Sequence, residues 1–100
     1  MAKKSSCQEC VSDLARVFGM LSDKTRLKIV CHLARQEEYV GNLCKMLNVS
    51  QPTASHHLGL LRMERLIINR RSGKQVIYSL NTEKLSGVMK EFAGVLRGKK

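Results

Sequence analysis

The apolar residues of this chain change period after Leu66, and that switch limits the fold more than any other feature. Before it they recur at i, i+3, i+4 and i+7, the spacing of one helix face. After it, Ile67-Ile68-Asn69-Arg70-Arg71 and Gln75-Val76-Ile77-Tyr78-Ser79-Leu80 read as two strands. Ser72-Gly73-Lys74 lies between them as a hairpin turn, with Gly73 free to take positive φ. A helical period then resumes. The pattern predicts a mostly α fold with one β-hairpin, about five helices and two strands.

A chain of 100 residues is one domain's worth. Residues 1–8 read as a flexible tail and 9–100 as the folded domain. The first helix is expected from about Glu9 to Met20, with Val11, Leu14, Ala15 and Phe18 at helical spacing. Ser22 or Asp23 caps the second, whose apolar face is read as Leu27, Val30, Cys31 and Ala34, widened by Ile29 and Leu33. A third helix holds Val40, Leu43, Cys44 and Leu47 and is broken by Asn48-Val49-Ser50. Ser50-Gln51-Pro52 starts a fourth: serine as cap, proline in the first turn, where its missing N–H costs nothing. That helix keeps Ala54, His57, Leu58 and Leu61 on one side and leaves Thr53, Ser55, His56 and Arg62 to other faces.

The last helix, Thr82 to Arg97, carries Leu85, Val88, Met89, Phe92, Val95 and Leu96 in a stripe about three turns long. A core of this size has no obvious place for it. The stripe, with Leu14 and Phe18 of the first helix, is read as the contact of a homodimer. The competing reading is that it caps its own domain's core.

Charge narrows the partners. Lys and Arg number 18 against 8 acidic residues, a net of +10. Residues 1–50 hold 8 basic and 5 acidic groups, and residues 51–100 hold 10 and 3. A basic C-terminal half suggests a polyanion. No run of about 18 apolar residues spans a membrane, and the first residues lack a signal peptide's apolar stretch. The chain therefore reads as cytoplasmic, with its four cysteines reduced. No base is placed beside a thiol and no glycine loop cradles a phosphate, so neither an enzyme nor a nucleotide cofactor is expected.

Two short helices, a tight turn between them and a basic hairpin after them make a winged helix-turn-helix whose partner is double-stranded DNA. The second helix of the pair enters the major groove, and its first turns reach base edges. Gln51, Thr53, Ser55 and His56 stand there, with Ser50 at the phosphate-favouring helix start and Arg62 further along. Arg70, Arg71 and Lys74 flank the wing glycine and suit phosphates or a narrow minor groove. The only aromatics are Phe18, Tyr39, Tyr78 and Phe92, too few for a base-stacking RNA platform.

These residues carry a resemblance. Phe18 to Val30, containing Leu21-Ser22-Asp23-Lys24-Thr25-Arg26-Leu27, resembles the "LSDPTRLRIL" segment of the ArsR/SmtB repressors. Ser50-Gln51-Pro52-Thr53-Ala54-Ser55-His56-His57-Leu58 resembles their "SQPxxSxHL" recognition helix, and Arg70 through Leu80 their "RRxGxxxxYxL" wing. The resemblance covers about residues 11 to 97. It implies a dimer that sits on an operator and leaves it when an inducer binds, usually a metal ion or a reactive sulfur or oxidant species. One departure is Glu64-Arg65, where the family has Ala-Gly. Arg65 must either bear about 1 kcal/mol for a left-handed helix cap or end the helix differently.

Sensing reads less directly. The family's Cys-x-Cys metal box falls on Tyr39 and Gly41, and its Asp-x-His site falls on Asn81-Thr82-Glu83, so both are lost. Of the histidines, His57 is read as a packing or helix-stabilising residue, His56 as facing DNA and His32 as surface. Cys7-x-x-Cys10 has a spacing suited to a soft ion such as Zn, Cd, Pb or As(III). Cys31 resembles the second-helix cysteine of the persulfide-sensing branch, whose usual partner on the last helix is missing here. Cys7 or Cys10 could supply it. Cys44 is read as a small core residue. The function expected is a repressor released by an inducer sensed through Cys7, Cys10 and Cys31. The alternative is an inducer-independent DNA-binding regulator with structural cysteines.

Overall fold

The computed structural model describes residues 7–98, those at 7–10 by backbone only. The order is α1 (Cys7–Leu21), α2 (Lys24–Leu33), β1 (Glu38–Tyr39), α3 (Val40–Leu47), α4 (Gln51–Met63), β2 (Ile67–Ser72), β3 (Gln75–Leu80) and α5 (Thr82–Leu96). The five helices and the hairpin stand where the periodicity puts them. α1 begins at Cys7, two residues before the expected start.

The sheet has three strands, not two, in the antiparallel order β1-β3-β2. The additional strand pairs Glu38 with Tyr78 and Tyr39 with Ile77. Two residues are too few to show alternation, so periodicity could not reveal it. The turn is also tighter than expected. Ser72 pairs with Gln75, which leaves a two-residue loop of Gly73 and Lys74. Gly73 has φ +67° and Lys74 is not in the positive-φ region. Glycine at the first loop position is what a type II′ hairpin turn requires.

The core lies where α1, α2, α3, α4 and the base of the hairpin meet. Ile29, Leu43, Ala54, Leu58, Leu61, Leu66 and Ile67 are all 1% exposed or less. On α2 the buried face is Ile29, Val30 and Leu33. The expected face of Leu27, Val30, Cys31 and Ala34 is wrong by part of a turn: Leu27, Cys31 and Ala34 are exposed. Ile29 and Leu33, read as the edge of the stripe, are its centre, because α2 packs on both α1 and α4.

The predicted dimer stripe divides. Leu14 and Val88 are buried in the chain's own core, and Phe18, Leu85 and Phe92 pack against it. The rings of Phe18 and Phe92 meet edge to face at 5.1 Å, fastening α5 onto α1. Met89, Val95 and Leu96 remain exposed, as does Val11. A core of this size does therefore accommodate half of the stripe. No helix among the described residues is long and apolar enough to cross a membrane.

Candidate nucleic-acid interface

The connection from α3 to α4 is fixed residue by residue. Asn48 ends α3 in the left-handed conformation, φ 57°, which asparagine tolerates well. Val49 N–H then donates back to the Cys44 carbonyl at 3.2 Å. Ser50 caps α4: its Oγ accepts from Thr53 N–H at 3.3 Å and donates to Thr53 Oγ1 at 3.0 Å. The Thr53 hydroxyl thus serves the cap as well as facing outward. Pro52 sits in the first turn, as expected.

The far end of α4 settles the question posed by Arg65. Arg65 does adopt the left-handed cap, with φ 60°. Leu66 N–H reaches the Leu61 carbonyl at 3.0 Å, and Arg65 N–H reaches that of Arg62 at 2.8 Å. This is the Schellman pattern, with buried Leu66 against buried Leu61 as its apolar contact. Asn81 Nδ2 donates to the Arg65 carbonyl at 2.9 Å and holds the strained residue from outside. Arg16 Nε donates to Glu64 Oε1 at 3.1 Å, tying α1 to the same corner.

Between these ends α4 has two faces. Ala54, Leu58 and Leu61 are buried. Gln51, Thr53, Ser55, His56 and Arg62 are all exposed. The helix cannot roll easily, because His57 is pinned from behind. Arg26 donates from Nε to the Met20 carbonyl at 2.8 Å and from Nη1 to His57 Nδ1 at 3.2 Å. Arginine only donates, so Nδ1 must accept and the ring proton lies on Nε2. Asp23 caps α2 on Arg26 N–H at 3.0 Å, and that bond holds the Asp23 carboxyl below its usual range. The packing or helix-stabilising role read for His57 is played through a polar contact with Arg26, which sequence reading overlooked.

In the wing, Arg71 and Lys74 are exposed and make no ion pair among the described residues. Arg70 differs. It donates from Nη1 to Glu37 Oε1 at 3.0 Å and from Nη2 to Oε2 at 3.2 Å. That pair lowers the Glu37 pKa and raises that of Arg70. Two adjacent acids in a basic chain, Glu37-Glu38, were the available signal for such a contact.

Glu38 organises the neighbouring corner. Its carboxylate accepts from Asn42 Nδ2 at 2.7 Å, Gln36 Nε2 at 3.2 Å and Tyr39 N–H at 3.2 Å. His32 Nε2 lies 2.9 Å from Glu38 Oε1. Donation from Asn42 first, then from His32, brings the Glu38 pKa down to about 2. His32, expected at the surface, is half-buried and anchors β1.

The thiols are less gathered. Cys31 is exposed and Cys44 is half-buried. Cys31 lines a shallow cavity of about 350 Å³ with Lys28, His32, Arg35, Met46 and Leu47. The side chains of Cys7 and Cys10 lie outside what is described, and with them the partner that either could supply to Cys31. Among the described residues no group of three metal-capable side chains comes together.

A turn-linked helix pair whose second helix shows a polar face, followed by a basic hairpin, defines a winged helix-turn-helix protein. The sequence profile of the bacterial regulatory protein, arsR family, matches residues 23–69, from the cap of α2 into β2. The chain is 38% identical over 84 residues to a transcriptional repressor SmtB homolog from Synechocystis, covering 84% of this chain and 64% of that protein. It is 41% identical over 83 residues to a cadmium resistance transcriptional regulatory protein CadC homolog from Staphylococcus aureus, covering 82% and 69%. An ArsR-like transcriptional regulator from Rhodococcus sp. RHA1 superposes with a TM-score of 0.79 at 26% identity, over 88% of this chain and 83% of the other. The chain belongs to the ArsR/SmtB family of winged-helix transcriptional regulators.

Proposed function

We propose that this chain is a homodimeric transcriptional repressor of double-stranded operator DNA. The first turns of α4 enter the major groove and the wing lies on the backbone. The observation that carries this reading is the division of α4: an apolar face is locked in the core while Gln51, Thr53, Ser55 and His56 stand in solvent. Gln51 suits adenine, Ser55 several bases, and the Ser50 cap a phosphate. Arg62, Arg71 and Lys74 supply further positive charge. The exposed Val11, Met89, Val95 and Leu96, on two helices that pack on each other, support a second copy as the surface that covers them.

Release from DNA runs through the thiols Cys7, Cys10 and Cys31, in response to a soft metal or metalloid ion or a reactive sulfur species. The exposure of Cys31 and the likeness to a cadmium-resistance regulator support this. An inducer has only to favour the DNA-incompetent form by a few kcal/mol to empty the operator. The test is fluorescence anisotropy of the reduced protein on a duplex it has selected from a randomised library, titrated with Zn, Cd, Pb, As(III) and a persulfide donor. Metal-driven release that disappears with Cys7→Ser or Cys10→Ser supports a thiolate metal site. Release by persulfide alone, reversed by reductant and lost in Cys31→Ser, supports sulfur sensing. Binding that ignores every inducer leaves a regulator with structural cysteines.

A further inference from the structure

The wing carries two neighbouring arginines in different electrostatic states. Arg71 faces solvent without an ion-pair partner among the described residues. Arg70 gives both terminal nitrogens to the two oxygens of Glu37. Glu37 precedes β1, and β3 lies between β1 and β2. Arg70 therefore reaches obliquely across β3, from the row it shares with Ile77 and Tyr39 to a residue two positions before Tyr39. The side chains stay open to water, 58% and 46% exposed.

We propose that Glu37 is a specificity-determining residue for DNA binding: its carboxylate occupies the guanidinium fork of Arg70 in place of a phosphate and yields it only when the wing is seated on a preferred duplex. This rests on the DNA-binding reading above. A carboxylate and a phosphate present the same pair of oxygens to an arginine fork, so the two compete for one face. Non-specific complexes draw on backbone charge alone, and an arginine already neutralised by its own protein adds little to that attraction. Base contacts from α4 hold the wing against the backbone and supply the free energy for exchange. An exposed ion pair is weak enough to be exchanged. Glu37 thus withholds one phosphate contact from the wrong DNA and allows it on the right DNA.

The experiment measures anisotropy over a range of salt concentrations on two duplexes of equal length, one selected by the protein from a randomised library and one of mixed sequence. Wild type, Glu37→Gln, Arg70→Ala and the double variant are compared. Glu37→Gln is expected to tighten mixed-sequence binding several-fold and to steepen its log–log salt slope by about 0.9 for each arginine released. Selected-duplex binding should tighten less, so the ratio between the two falls. Arg70→Ala leaves the Glu37 carboxylate without its counter-charge, so it should weaken both duplexes, the selected one by the larger factor. In the double variant the Glu37→Gln gain should shrink. A gain that persists undiminished without Arg70 would mean a general charge effect and overturn the proposal, as would equal loss on both duplexes in Arg70→Ala. Failure of the wild type to bind any duplex would instead sink the DNA reading itself, and this inference with it.

Discussion

The α4–wing region and the corner around β1 use polar side chains in opposite ways. Along α4, the backbone is locked at both ends, by the Ser50 cap and by the Leu66–Leu61 bond, while Gln51 and Ser55 make no side-chain hydrogen bond or ion pair among the described residues and His56 only meets the His57 ring edge to face. Around β1 the polar groups are spent on one another: Glu38 alone gathers His32, Gln36, Asn42 and the Tyr39 N–H. The first arrangement is a rigid frame offering free hydrogen-bonding groups to a partner. The second is a polar joint that holds the frame. Which of the two a residue serves is decided by the bonds already made, and not by its type.

The largest effect is expected on α4. Leu58 is 1% exposed, and Leu58→Ala should cost about 2–5 kcal/mol in chemical denaturation, the range for a truncated core leucine. Ser55→Ala, on the opposite face, should stay within about 0.5 kcal/mol of wild type and alter DNA preference instead. If Ser55→Ala unfolds the protein comparably, the two faces are not distinct.

A smaller effect of opposite sign is expected at the helix end. Arg65 holds φ 60° without the freedom of glycine. Arg65→Gly should stabilise by about 0.5 kcal/mol, the left-handed cost less the entropy glycine adds to the unfolded chain. An unchanged or lowered midpoint would mean that the Asn81 bond and side-chain contacts already offset the strain.

A third effect appears only in acid. The Glu38 pKa is lowered from 4.5 to about 2, chiefly by Asn42 and His32. A carboxyl with a depressed folded pKa stabilises above its unfolded value, and that contribution disappears as pH falls through the folded value. Glu38→Gln should therefore flatten the stability profile between about pH 4.5 and 2. An unaltered acid limb would show that the β1 joint does not depend on this charge.

What the sequence revealed follows the same division. Helix starts and hairpin turns obey local chemistry, so Ser50-Gln51-Pro52 and Gly73 located α4 and the wing without tertiary information. The apolar set Ala54, Leu58 and Leu61 gave the buried face of α4, and by exclusion the polar face opposite it. On α2 the same rule failed by part of a turn, because Leu27 and Ile29 offered two overlapping stripes and only packing against α1 and α4 chooses between them. β1 was invisible, since a two-residue strand exists through its partner β3 and the bonds of Glu38. The Glu37–Arg70 and Arg26–His57 pairs join residues 33 and 31 positions apart, and no local pattern connects them.

The most direct test of the interface is the salt dependence of DNA binding in Arg71→Ala beside Gln51→Ala, each measured by anisotropy on the selected and the mixed duplex. Arg71→Ala should weaken both duplexes and reduce the log–log slope by about one. Gln51→Ala should leave the slope unchanged and shift the preferred sequence. Arg71→Ala with unaltered affinity on all DNA, together with Gln51→Ala that reads the same sequence as wild type, would contradict the placement of α4 and the wing on the duplex.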